Sequence, residues 1–128
     1  MEPVGQQLAD AWERYDCFHD AAIRKVELNF RPDRNHHFEI ELDGGRSGTR
    51  MDVRFRFTEV KEYRFWEQNW VMELIFEAAW AKLDGLIWVA FDGDDVDDDA
   101  PTVEEFRECY AYVAAKSVEL IVAPAPTD

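Results

Sequence analysis

The fold is decided by residues 18–60, which read FHDAAIRKVELNFRPDRNHHFEIELDGGRSGTRMDVRFRFTEV. Three parts of this stretch, at 26–31, 37–43 and 51–58, alternate apolar and polar residues. Because successive side chains of a strand point to opposite faces, the alternation predicts three strands with one apolar and one solvated face. Turn-forming residues at 31–35 and 43–48 separate the runs. We therefore predict a three-stranded antiparallel meander that forms one wall of a single core.

The two faces of the meander have different compositions. On the solvated face, Glu39 and Glu41 are expected to lie near Arg54 and Arg56 as cross-strand ion pairs. Such pairs help to set the strand register and imply no chemistry. The residues of the apolar face are Val26, Leu28, Phe30, Phe38, Ile40, Leu42, Met51, Val53, Phe55 and Phe57.

A helix is predicted before the meander, over Gly5 to Tyr15. Its apolar residues have the i, i+3, i+4, i+7 spacing of one helical face. Where the first strand begins is open, because Ile23 is out of phase with Val26. Either a bulge near Arg24-Lys25 or a later start explains the phase. The helical stripe is formed by Leu8, Ala11, Trp12 and Tyr15.

Beyond the meander, which is expected to end near Val60, residues 61–69 are interpreted as an irregular crossing segment. Residues 70–83 fit either a helix or a strand, and apolar residues at six same-parity positions favour the strand. Asp84-Gly85 is typical of a hairpin turn. The run Leu86 to Phe91 then predicts a strand that is buried on both faces.

The last third of the chain predicts a loop, a helix and a long strand. Thr102 and Glu105 have capping-box spacing, so a helix is expected to start there and stop near Glu108. Tyr110 to Val122 is predicted as the final strand, residues 1–123 as one domain, and 124–128 as a disordered tail. The fold class is therefore α+β, a curved antiparallel sheet of about six strands with one or two short helices. The inward side chains of the second helix are expected to be Val103, Phe106 and Tyr110.

The charge balance restricts the partners. A net charge of −14 argues against binding to nucleic acid or to anionic membranes, which attract Lys and Arg, and it suits a basic partner. Cys17 and Cys109 have no paired spacing and predict reduced thiols in a cytoplasmic protein. We expect no signal peptide and no membrane span, because the sequence contains no basic-then-apolar start and no long apolar run.

Residues 92–105 are the most acidic segment. They hold eight carboxylates and no Lys or Arg, and so carry −8 of the net −14. A solvated loop and a patch that meets a basic partner are both consistent with this composition. An EF-hand is not, because positions 6 and 12 counted from Asp95 are Ala100 and Phe106. A calcium loop of another kind stays an alternative. The predicted partner-binding residues are Asp92, Asp94, Asp95, Asp97, Asp98, Asp99 and Glu104.

Other candidate sites have weaker signals. The chain contains no GxSxG, P-loop or Rossmann glycine motif, so no enzyme activity, catalytic residue or cofactor is predicted. The tryptophans of residues 66–88 favour core packing over a ligand cavity. No zinc site is predicted, because metal-ligand spacing is absent among Cys17, His19, His36, His37 and Cys109.

A family resemblance adds to this interpretation. The stretch Tyr15 to Ile23 (YDCFHDAAI) resembles the FHDAxI opening of small bacterial proteins, and Val53 to Val60 (VRFRFTEV) is similar to a strand that follows in them. Some of these families are immunity proteins of polymorphic toxin systems, of the immunity protein 50 type. The resemblance covers about residues 12–62 and implies that Phe18, His19 and Asp20 define the fold. It implies no catalytic residue.

Charge and resemblance together predict a cytoplasmic binding protein that neutralises a basic protein partner, such as a toxin, through its acidic surface. Acidic complementarity would accelerate the association of the two proteins. The alternative is a small-ligand or calcium-binding module that uses the Trp-rich stretch or the acidic loop.

Overall fold

The computed structural model describes residues 3–14, 23–33, 35–43, 51–65, 78–93, 96–97 and 99–124. These residues form one six-stranded antiparallel sheet and two short helices. The strand order is β1-β2-β3-β6-β5-β4. The predicted α+β class is confirmed. The elements are α1 (Pro3–Arg14), β1 (Ile23–Asn29), β2 (His37–Asp43), β3 (Met51–Phe65), β4 (Ala79–Leu83), β5 (Leu86–Ala90), α2 (Val103–Arg107) and β6 (Ala111–Pro124).

The predicted meander is present as β1, β2 and β3. A register shift lies between Ile23 and Lys25, which confirms the predicted bulge over the later start. Ile23 then pairs with Leu42 and packs against the core, although it is out of phase with Val26. The bulge therefore supplies the extra residue that returns an apolar side chain to the core face.

β1 is an edge strand, and its apolar side chains are less buried than those of β2 and β3. Val26 and Leu28 pair with the buried Ile40 and Phe38, so they lie on the core face as predicted. They are nevertheless more than one-third exposed, and Phe30 just beyond β1 is 55% exposed. An edge strand has a neighbour on one side only, so its side chains are covered from one side only.

The predicted cross-strand ion pairs are confirmed on the opposite face of the meander. Arg54 contacts Glu41 at 2.9 Å and Glu39 at 3.5 Å, and Arg56 contacts Glu39 at 3.6 Å. These side chains are partly exposed, so each pair contributes roughly 0.2–1 kcal/mol. Their main effect is on register, because a slip of one residue would bring the arginines to the core face.

The third strand is longer than predicted. β3 continues to Phe65, so the predicted irregular segment is wrong for residues 61–65, and residues 66–69 lie outside the described part. The reason is a bulge: the pairing with β6 shifts between Val60 and Glu62, next to Glu59 with a φ of 55°. The bulge breaks the two-residue period, and this hides the continuation of the strand in the sequence.

The prediction of a single core is also wrong, because the sheet buries apolar residues on both faces. One cluster includes Phe55, Val89 and Val113, and the other includes Trp88 and Tyr112. Val89 and Trp88 are neighbours in β5, so the two clusters lie on opposite faces. The meander keeps its second face solvated, whereas β5 and the adjoining half of β6 are covered on both sides.

α1 covers the first of these faces and confirms the predicted helix. Leu8, Ala11 and Trp12 are buried against the sheet, and Tyr15 lies outside the described residues. The Gln7 side chain donates to the carbonyl of Leu120 at 3.0 Å and accepts from its N–H at 3.2 Å. These paired hydrogen bonds fix the helix along β6.

The β4–β5 hairpin fits the predicted turn and strands. Asp84 and Gly85 have φ values of 54° and 77°, the left-handed pair that a two-residue type I′ turn requires. Residues 79–83 form a strand, which confirms that interpretation over a helix there, and residues 70–77 lie outside the described part. Residues 87–91 are buried, which confirms a strand covered on both faces.

α2 begins as the capping box predicts. The Thr102 hydroxyl accepts from the Glu105 N–H at 3.2 Å, and a Glu105 carboxylate oxygen accepts from the Thr102 N–H at 2.9 Å. The helix ends at Arg107 with Glu108 as its C-cap, and Phe106 is fully buried. Tyr110 was predicted to face inward from this helix, but it follows the helix end and is 50% exposed.

Candidate functional site

The acidic loop lies between β5 and β6, and Asp92 ties its two ends together. The Asp92 carboxylate accepts from the N–H groups of Tyr110 at 2.7 Å and of Ala111 at 3.0 Å. The residue before it, Phe91, donates its own N–H to the Ala111 carbonyl at 2.9 Å. Asp92 therefore closes the base of the loop, and its two oxygens are engaged inside the protein.

Inside the loop, Asp97 is a second organising residue. Its Oδ1 atom accepts from the N–H groups of Asp99 at 2.9 Å and of Ala100 at 3.3 Å. Its own N–H donates to Glu105 Oε2 at 3.3 Å, which links the loop to the capping box of α2. The side chains of Asp97, Asp99 and Glu104 are exposed. Their charges are thus presented by a backbone that side-chain hydrogen bonds fix in place.

The loop also packs closely against the edge strand β4. A Cβ atom built on the buried Gly93 would lie 2.6 Å from the Cβ of Ala79 and 2.9 Å from its backbone nitrogen. Three residues on, Val96 is buried in the second core cluster, and its N–H donates to the Gly93 carbonyl at 3.1 Å. Glycine is required here because only a residue without a side chain permits this approach.

The predicted partner-binding residues thus divide into groups. Asp92 is half-buried, and its carboxylate accepts two backbone N–H groups at the base of the loop. Of the other predicted partner-binding residues, three have exposed carboxylates that a partner could approach. Those three are Asp97, Asp99 and Glu104. The remaining predicted residues, which lie outside the described part of the chain, are Asp94, Asp95 and Asp98.

A cluster around Glu62 was missed by the sequence analysis. Arg107 donates two hydrogen bonds to the Glu62 carboxylate, at 2.8 Å and 2.9 Å, and the Tyr112 hydroxyl donates a third at 2.6 Å. The hydrogen bond from Arg107 lowers the pKa of Glu62. Burial, with the hydrogen bond to Glu62, raises the pKa of Tyr112 to about 12. We call Glu62, Arg107 and Tyr112 the clasp, because they join α2 to β3 and β6.

Two aromatic contacts extend the clasp. The Arg107 guanidinium lies 5.6 Å from the ring centroid of Trp88, and Trp88 stacks on Tyr112 at 5.9 Å. Arg64 donates to the Arg107 carbonyl at 2.9 Å, at the end of α2. Arg107 thus joins α2 to β3, and Tyr112 joins β6 to β3. The one signal in the sequence is that Arg107 is the first basic residue after the acidic run.

The other candidate ligands take structural positions. His36 Nδ1 accepts from the Arg31 N–H at 2.9 Å, across the turn that leads into β2. Cys109 is a buried thiol whose Sγ lies 3.5 Å from the Glu105 carbonyl oxygen, and Cys17 and His19 lie outside the described residues. In the described part of the chain, no three or more His, Cys, Asp or Glu side chains are grouped so that they could hold a metal ion.

Comparison with known proteins gives no relative. No family model matches the chain, and neither the curated proteins nor the solved structures contain a match. The resemblance of residues 12–62 to toxin immunity proteins therefore stays a prediction. None of the helices described is both long enough and apolar enough to cross a membrane.

Proposed function

We propose that this protein binds and neutralises a basic protein partner in the cytoplasm, and that residues 92–105 form its contact surface. The observation that carries the proposal is the fixed presentation of exposed carboxylates at Asp97, Asp99 and Glu104. The backbone that bears them is tied at its base by Asp92 and at its far end by the capping box of α2. The resemblance to immunity proteins supports a toxin as the partner.

A fixed acidic surface suits such a partner for two reasons. Electrostatic attraction between opposite charges raises the association rate, by about 10-fold to 1,000-fold for strongly charged surfaces. Residues such as Asp97 and Asp99, whose backbone is held by hydrogen bonds, also lose less conformational freedom on binding than mobile residues do. The nearest basic side chain in the sequence, Arg107, forms an ion pair with Glu62 and also interacts electrostatically with Glu104.

The test begins with affinity capture of the tagged protein from its own cell extract. Capture is run at about 0.1 M and about 1 M salt, between which the Debye length falls from about 10 Å to about 3 Å. We expect a basic protein that is retained at the lower salt and released at the higher. That protein is then purified for rate measurements.

Association rates identify the surface. In the loop variant Asp97→Asn/Asp99→Asn/Glu104→Gln, three charges are removed while the hydrogen-bonding oxygen of residue 97 is kept. We expect stopped-flow association at the lower salt to slow by about tenfold.

The matched control removes three charges at the opposite end of the sheet. It is Glu27→Gln/Glu39→Gln/Glu41→Gln on β1 and β2, which lie furthest from β4 in the strand order. The control should leave the rate nearly unchanged. Equal slowing by both variants would mean that net charge alone matters, and no slowing by the loop variant would remove the loop from the contact surface.

A further inference from the structure

A cavity of about 170 Å³ lies where α1, β4 and the acidic loop meet, and it is partly open to solvent. Its lining includes Trp12 and Trp80, whose ring centroids are 6.3 Å apart. Asp97 also belongs to the lining, and the other lining residues are Ala78, Ala79, Val96 and Pro101. The cavity therefore brings two tryptophans and an aspartate together with small apolar residues.

The walls of the cavity are fixed by hydrogen bonds and packing. The Trp12 indole N–H donates to the Ala78 carbonyl at 2.8 Å, which locks this ring across the end of β4. Asp97 is held by the N–H groups of Asp99 and Ala100, and Val96 is buried. A ligand would enter a preformed site and would not have to order these groups, which favours binding.

The lining selects the chemistry of the ligand. Aromatic rings attract a cation within about 6 Å of the ring centroid, and tryptophan does so most strongly. Asp97 adds a negative charge, and the alanine, valine and proline residues of the lining suit an alkyl chain that leads to the cation. The volume is below the roughly 300–1,000 Å³ of sites for whole small molecules, so it fits one side chain better than a free metabolite.

We propose that this cavity receives one basic side chain, a lysine or an arginine, of the protein partner. The inference rests on the proposed function, because a basic partner must supply the side chain. It places a specific anchor inside the acidic surface, where the exposed carboxylates attract the partner and the cavity fixes its position.

The test uses the full-length ¹⁵N-labelled protein and three small probes. Butylammonium stands for lysine, propylguanidinium stands for arginine, and butanol is the neutral control of the same length. We expect saturable shifts of the Trp12 and Trp80 indole N–H signals with at least one of the cations and none with butanol. The stronger cation identifies the side chain. Equal binding of butanol, or no saturable shift with either cation, would overturn the proposal.

Two matched variants locate the charge. Asp97→Asn should weaken the binding of the stronger cation by about fivefold, the effect of one nearby charge at the surface. Asp99→Asn removes the same charge from the same loop outside the cavity lining, and it should weaken binding by less than about twofold. An equal effect of both variants would contradict a defined site at Asp97.

A variant of Trp80 tests the contribution of the aromatic rings to cation binding. Trp80→Leu keeps an apolar side chain on the edge strand, and its amide spectrum reports whether the fold is intact. In the folded variant we expect the cation-induced shift of the Trp12 indole signal to be lost. A shift that persists unchanged would contradict the cavity as the binding site.

The two proposals can fail separately. If the loop variant slows association with the partner but neither cation binds, the contact surface stands and the cavity proposal fails. If a cation binds as expected but the loop variant leaves association unchanged, the cavity is a basic-side-chain site and the proposed contact surface fails.

Discussion

Substituting Gly93 by alanine should displace the acidic loop from the edge of the sheet. The added Cβ would lie 2.6 Å from the Cβ of Ala79, whereas non-bonded carbon atoms prefer about 3.5–4.0 Å. It would also lie 2.9 Å from the Ala79 backbone nitrogen. Neither atom belongs to a flexible side-chain end, so the backbone of the loop or of β4 has to move by about 1 Å.

The expected cost follows from this overlap. Overpacking a well-packed site destabilises a protein by about 1–3 kcal/mol, and we expect about 2 kcal/mol for Gly93→Ala. Urea unfolding, followed by tryptophan fluorescence, measures the change. With a urea dependence of about 2 kcal/mol per molar, the unfolding midpoint should fall by about 1 M.

A double-mutant cycle separates this overlap from a general effect of the substitution. Ala79→Gly removes the nearest contacting atom, so Gly93→Ala should cost less in that background than in the natural sequence. Gly85→Ala is the control: Gly85 has a φ of 77° and no atom within 4 Å of an added Cβ. It should cost about 1–2 kcal/mol through backbone strain alone and should add independently to Ala79→Gly.

Two results would refute this account of Gly93. One is a loss of stability below about 0.5 kcal/mol, which would mean that the added methyl group meets open space. The other is additivity with Ala79→Gly to within about 0.5 kcal/mol, which would mean that Ala79 is not the group it meets.

Three further predictions concern the clasp and the cap of α2. The lowered pKa of Glu62 stabilises the fold fully above its ordinary value of 4.5, and this stabilisation is lost as the pH falls through the lowered folded-state pKa. The stability difference from Glu62→Gln should therefore be large at neutral pH and shrink below pH 4.5, and a difference independent of pH in urea titrations would contradict this. Tyr112→Phe removes a 2.6 Å hydrogen bond to a carboxylate and should lower the free energy of unfolding in urea by about 1.5–3 kcal/mol. A loss near zero, as expected if water replaces the hydroxyl, would contradict this prediction. Thr102→Ala should cost about 1 kcal/mol by thermal or urea unfolding and Thr102→Ser almost nothing; equal losses would show that the hydroxyl is not the stabilising group.

The sequence was most informative where one strand face meets water. The meander follows from alternation because Glu39, Glu41, Arg54 and Arg56 mark its solvated face unambiguously. The turn at Asp84-Gly85 and the cap at Thr102 were also predictable, because each depends on local backbone chemistry.

Prediction failed where the local period changes or the covering element is distant. The bulge near Val60 shifts the phase of β3, so Tyr63 and Phe65 read as an irregular segment. Burial of β5 on both faces was predicted from its continuous apolar run, but the second core cluster was missed because the covering element is not evident in the sequence. Phe106 of α2 packs in this cluster, and the sequence does not indicate which face of the sheet it contacts.

The candidate site was predictable in composition and not in geometry. The run of carboxylates is evident in the sequence. The sequence pattern did not show that Asp92 and Asp97 accept hydrogen bonds from backbone N–H groups, and so did not distinguish them from acids that only face solvent. The clasp joins Glu62 to Arg107 and Tyr112, which are 45 and 50 residues further along the chain. Pairs at that separation form only once the sheet has brought β3 and β6 together.

The position of β6 in the strand order has a consequence for folding. β6 follows the other five strands in the sequence, yet it lies between β3 and β5. Without β6, the meander and the β4–β5 hairpin would each have an unpaired inner edge, at β3 and at β5. Because an unpaired strand edge can recruit strands of other chains, we expect forms of the protein in which residues 111–124 are not yet paired to be prone to aggregation. The sheet is therefore complete only when this one strand pairs with β3 on one side and β5 on the other.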